Sequence, residues 1–175
     1  MSEILQEKWM KGVAVTTTVL AVATAVAAGR AGVCVSKNQI LTAQEGSQWA
    51  YYQAKSIKQN LAESQLEAFE VAQLGITKAE QKGAYENRVA DLRTKIARYD
   101  KEKAEIKDMA EKTGAENRKV NRQGNQFALA VVLFQIAIVL SSVSALLKRP
   151  AMWYAGVAFS IVAILYAANG FFLFF

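Results

Sequence analysis

Residues Gly12–Val35 read GVAVTTTVLAVATAVAAGRAGVCV, an apolar run broken by one charge, Arg30. About 20 mostly apolar residues are enough for a helix to cross a bilayer, and Arg30, near the end of the run, can snorkel to the surface. Ala25-Val26-Ala27 resembles a signal-cleavage site. The run nevertheless outlasts the roughly 7–15 apolar residues of a secretory signal, so a retained span is expected. Two further runs follow, Phe127–Leu147 (FALAVVLFQIAIVLSSVSALL) and Ala151–Phe175, joined only by Lys148, Arg149 and Pro150. So short a connection implies a tight antiparallel pair of spans, and proline suits the first turn of the last one. Trp153 and Tyr154 then fall where an interfacial aromatic belt forms, and Trp9, Lys148 and Arg149 are the other expected anchors. The third span is expected to close the chain in FFLFF, without a soluble tail.

The first span is built from Ala, Val, Thr and Gly. Ala21, Ala25 and Gly29 are spaced by four, as are Ala23, Ala27 and Ala31. Small residues at that spacing let helix backbones approach closely in lipid, so Ala25 and Gly29 are expected in a helix–helix interface. The polar residues inside the later spans are Gln135, Ser141, Ser142, Ser144, Ser160 and Asn169. Gln135 and Asn169 are expected to make intramembrane polar contacts. No Asp, Glu, Lys or Arg falls at mid-span, where ion-coupled transporters usually carry one.

Between the first and second spans lies a polar segment. The chain's net charge is +6, but residues 36–126 hold 16 Lys and Arg against 13 Asp and Glu, with the signs mixed. A nucleic-acid face needs a stripe of one sign, so no nucleic-acid partner is expected. Histidine is absent and Cys34 is the single cysteine, which removes the usual general base, disulfides and most metal sites. No nucleophile–base pair or phosphate-binding glycine loop is present, so no enzyme activity, metal or cofactor is expected.

Tyr85, Val89, Leu92, Ile96, Tyr99, Lys103, Ile106 and Ala110 are spaced alternately by four and three, a heptad seam with one charged member. The same rule gives Ala43, Ser47, Ala50, Ala54, Ile57, Leu61, Ser64, Ala68 and Val71 in the preceding arm, a narrow stripe expected to face the first. Gly75 suits a helix C-cap, and Thr77 with Glu80 forms a capping box. Arms of about 39 and 43 residues, each near 60 Å, fit an antiparallel coiled-coil hairpin. Gly114 and Gly124 are expected to bend the returning arm. The fold class read from these features is an all-α membrane protein with three transmembrane helices, 12–35, 127–147 and 151–175. A helical hairpin occupies 36–126, with its turn near 75–83, and residues 1–11 form a short amphipathic N-terminus.

QWAYYQAKSIK, Gln48–Lys58, places Trp49, Tyr51 and Tyr52 in four positions. Trp49 lies roughly 20 Å beyond Val35 along a helix, too far for an interfacial belt. The three rings are expected to anchor a contact between subunits. This stretch, together with FQIAIVLSSVSALLKRPAMWYAGVAFSIV and NGFFLFF, resembles the bacterial membrane family called domain of unknown function 4337, through nearly the whole chain. The resemblance implies a bacterial inner-membrane protein and supplies no activity.

The leading expectation is a non-enzymatic homo-oligomeric scaffold whose partners are copies of itself and membrane lipids. The alternative is a channel or transport subunit with a pore lined by Thr16–Thr18, Thr24 or Gln135. Lys8, Lys11, Lys148 and Arg149 in the short connections place the N-terminus in the cytoplasm and the hairpin in the periplasm or outside. Arg118, Lys119 and Arg122 weigh the other way.

Overall fold

The computed structural model describes residues 2–73 and 79–174, with side chains for 9–72 and 83–174. The described residues form three helices: α1 (Ser2–Gln73), α2 (Ala79–Leu147) and α3 (Pro150–Phe172). α1 has 72 residues and α2 has 69, and neither breaks where apolar sequence gives way to polar. The chain's one proline opens α3, so nothing in α1 or α2 removes a backbone donor from the helical ladder. Each of the three helices contains a stretch long and apolar enough to cross a membrane. Gly75 and Thr77, expected to shape the turn, lie outside the described residues, as does the side chain of Glu80.

The helices build two compact units, residues 1–40 with 117–175 and residues 41–116. In the first, Leu20 and Ala27 of α1 meet Ala130, Phe134 and Ala137 of α2 and Ala163 of α3 in a buried cluster. Alanine dominates because small side chains let the helix axes come close. Gly156 takes this furthest: a Cβ there would lie 2.9 Å from both Ala137 O and Ser141 Oγ. A Cβ at Gly170 would sit 2.9 Å from the Phe127 ring, and Phe127 meets Phe171 edge-on at 4.9 Å between centroids. The α2–α3 connection is made by Lys148 in the left-handed region (φ 52) and by the Arg149 N–H, which donates to Ser144 O at 3.2 Å. Ser144 Oγ returns a bond to Arg149 O at 2.8 Å.

In the second unit the expected α2 stripe, Tyr85 to Ala110, is buried or half-buried at every position. The α1 stripe that meets it is not the expected one. Ala43, Ser47, Ala50, Ala54, Ile57, Leu61, Ser64, Ala68 and Val71 are all exposed. The buried or half-buried residues are instead Leu41, Glu45, Gln48, Tyr52, Lys55, Gln59, Ala62, Leu66 and Phe69, two positions out of step and so on the opposite face. Two causes favour this face. Leu41, Tyr52, Leu66 and Phe69 are larger than the alanines and serines that fill six of the nine outer positions, and two of its polar members, Lys55 and Gln59, find partners on α2. Phe69 packs on Tyr85 (5.5 Å between centroids), Glu70 accepts from Arg93 at 2.9 Å, and Gln59 donates to Asp100 Oδ1 at 2.9 Å. Partner numbers therefore rise along α2 as they fall along α1. α2 remains one helix through Gly114 and Gly124. Gly114 lies against Glu45, and a Cβ at Gly124 would be 3.1 Å from Cys34 Cβ, so both glycines serve close approach to α1.

Candidate functional site

The second unit carries a polar layer in the middle of its seam. Gln59 is buried, and its amide nitrogen donates to Glu63 Oε1 at 2.8 Å as well as to Asp100. Its carbonyl oxygen accepts from Lys103 Nζ at 3.0 Å, so the charged member of the α2 stripe is met by an amide. One turn away Lys55 pairs with Glu102. The shared hydrogen bond holds the Glu102 carboxyl below its ordinary range and the Lys55 ammonium above its own. Lys55 also lies 5.5 Å from the Tyr99 ring centroid and 5.3 Å from that of Tyr51. Such a layer fixes the register of two helices, because a slipped pairing would strand each charge.

The structure separates the three aromatic residues of Gln48–Lys58. Tyr52 is half-buried in the seam, with Lys103 Nζ 5.5 Å from its ring centroid. Trp49, also half-buried, meets Tyr52 edge-on at 5.7 Å between centroids. Tyr51 is 54 % exposed and lies beside the outer stripe. That stripe carries large apolar side chains into the open: Ile57 is 68 %, Leu61 59 % and Val71 69 % exposed.

In the first unit the two small-residue rows of α1 diverge. Ala27 is buried and Ala23 packs on the core, while Ala21, Ala25 and Gly29 are exposed, with nothing within 4 Å of a Cβ built at Gly29. Gln135 is exposed and the Asn169 side chain is fully buried, while the Asn169 backbone carbonyl accepts from the Leu173 N–H at 2.7 Å at the end of α3. The hydroxyls of Thr16, Thr17, Thr18 and Thr24 each donate to a carbonyl of their own helix three or four residues back. Trp153 is half-buried and donates its indole N–H to Thr16 Oγ1 at 3.1 Å. It therefore ties α3 to α1, a role that the sequence pattern did not predict. Tyr154 is exposed and stacks obliquely on Trp153, Trp9 is half-buried, and Lys148 and Arg149 are exposed. Among the described residues no three His, Cys, Asp or Glu side chains gather as metal ligands would.

No curated protein and no solved structure matches the chain. The family described as Domain of unknown function (DUF4337) matches residues 9–173, a span that includes α1 from Trp9 onward, α2 and α3, with Gln48–Lys58 and the α2–α3 connection. The chain belongs to this family.

Proposed function

We propose that the protein is a non-enzymatic, multi-pass membrane scaffold that assembles laterally with copies of itself through α1. The observation that carries this reading is the outer stripe of α1, Ala43 to Val71. It keeps heptad spacing over four repeats, yet it is exposed throughout. A heptad stripe in water exposes apolar area that a second helix would cover. The stripe opposite it pairs with α2 as an antiparallel coiled-coil hairpin, so α1 is a helix with two contact faces. Tyr51 flanks the outer face, and Ala25 and Gly29 offer a close-approach surface within the span. The N-terminus and the Lys148–Pro150 turn lie in the cytoplasm in this reading, on the weight of basic residues in short connections.

A double variant, Ile57→Glu with Leu61→Glu, tests the assembly. Both side chains point away from α2, so helical content by circular dichroism should be kept while the particle mass in mild detergent falls to that of one chain. A wild-type protein that is already monomeric would overturn the reading, as would a variant whose mass is unchanged. A pore is less well supported, because the threonine hydroxyls that would line it bond to their own helix. Reproducible ion flux in liposomes would restore it.

A further inference from the structure

The charges of the chain are segregated. Residues 1–40 and 117–175 hold nine Lys and Arg against two acids, Glu3 and Glu7, a balance of +7. Residues 41–116 hold twelve against thirteen. The whole positive excess therefore belongs to the unit that contains the apolar spans. In α2 no acid follows Glu116, and Arg118, Lys119 and Arg122 stand there exposed.

Beside these cations a cleft of about 150 Å³ runs along the α1–α2 contact at Cys34 and Gly124. One end is walled by Ala31, Val35 and Ala128, and the other by Asn38 and Asn121, with Asn125 between them. Arg118, Asn121, Asn125 and Ala128 follow one another at intervals of three, four and three, so they share a face of α2. Arg122 lies beside that face. Asn125 and Ala128 also border a second, shallower groove that continues over Leu129 and Val132 into the apolar span.

We propose that this is a binding site for an anionic phospholipid. The headgroup phosphate lies against Arg118 and Arg122, with the amide N–H groups of Asn121 and Asn125 as further donors. One acyl chain runs down the groove over Leu129 and Val132. Guanidinium groups and amides match phosphate oxygens as donors. A one-signed basic patch at the edge of a span attracts anionic headgroups. The apolar continuation of the cleft is what selects a lipid over a free phosphate. The site rests on the reading that α1 and α2 cross a membrane, and not on self-assembly.

The experiment uses the full chain in mild detergent, with added phosphatidylglycerol or phosphatidylcholine of the same acyl composition, read by native mass spectrometry. Phosphatidylglycerol should be retained preferentially. Arg118→Gln with Arg122→Gln should weaken its retention roughly tenfold or more, while Lys148→Gln with Arg149→Gln should leave it near wild type. Ala128→Trp fills the cleft without changing charge and should also abolish retention. Equal retention of the two lipids would overturn the proposal, as would equal losses in both charge variants. Inorganic phosphate that displaces phosphatidylglycerol at millimolar concentration would assign the site to a free anion and overturn the lipid. Failure of the chain to fractionate with membranes would instead remove the underlying membrane reading.

Discussion

Lys103 Nζ donates to Gln59 Oε1 at 3.0 Å, so the only charge in the α2 heptad seam is answered by a buried amide from α1. The same amide donates to Asp100, which makes Gln59 the centre of a layer that neither helix could satisfy alone.

Replacing Gln59 by Leu should therefore destabilise the unit formed by residues 41–116 by about 1–3 kcal/mol, since Lys103 and Asp100 lose their partner. The double variant Gln59→Leu with Lys103→Met should recover most of that loss, because an apolar pair of similar shape needs no partner. Thermal unfolding followed by circular dichroism checks both. A Gln59→Leu protein as stable as wild type would mean that the layer carries no stability.

The Lys55–Glu102 pair predicts a flat stability profile around neutral pH. Glu102 is held below its ordinary value of 4.5, so its contribution is present above that value and is lost as the pH falls through the lowered one. Lys55 is raised above 10.5, so its contribution is present below that value and is lost as the pH rises through the raised one. The gap in thermal midpoint between wild type and Glu102→Gln should be constant from about pH 5 to 10 and close in stronger acid. A gap that widens in acid would contradict the assignment.

Two glycines should respond in opposite directions to alanine. A Cβ at Gly156 would meet the backbone oxygen of Ala137 at 2.9 Å, and backbone cannot step aside as a side-chain tip can. Gly156→Ala should cost about 1–3 kcal/mol. A Cβ at Gly46 meets nothing within 4 Å, so Gly46→Ala should stabilise by about 0.5–1 kcal/mol through helix propensity. Melting of both variants in the same detergent makes the comparison.

Orientation is open to a direct test. With Cys34 replaced by Ser, a cysteine at Lys101 should react with a membrane-impermeant maleimide on intact cells stripped of any outer membrane. Reaction only after lysis would place residues 41–116 in the cytoplasm and give Arg118, Lys119 and Arg122 the deciding weight over Lys148 and Arg149.

The helical class, the three apolar stretches and the α2 seam were legible in the sequence because each rests on a mostly apolar pattern, broken in the α2 seam at Lys103 alone. The α1 face was not. Two heptad stripes run along that helix two residues apart, and the one that looked apolar, through Ala50, Ile57 and Leu61, is the exposed one. The buried one contains Lys55 and Gln59, whose burial makes sense only once Asp100, Glu102 and Lys103 are known to lie opposite. Pattern alone prices a polar residue as solvent-facing, and a partner on another helix reverses that sign. Trp153 has a second role that pattern alone did not reveal: its bond to Thr16 needed α1 and α3 in place. The proposed lipid cleft left a trace in the acid-free run after Glu116, but the cleft beside Gly124 is a matter of packing.

The two stripes of α1 share one repeat length, and this limits how such a helix can change in length over time. Adding or removing one residue near Gln53 would turn everything beyond it by about 100°, pulling Gln59 from Lys103 and swinging Leu61 off the outer face together. Seven residues restore both faces at once, provided that α2 gains a matching seven opposite. Lengths among relatives of this chain should therefore differ in matched heptads on the two arms, and single-residue insertions should be confined to the segment that joins α1 to α2.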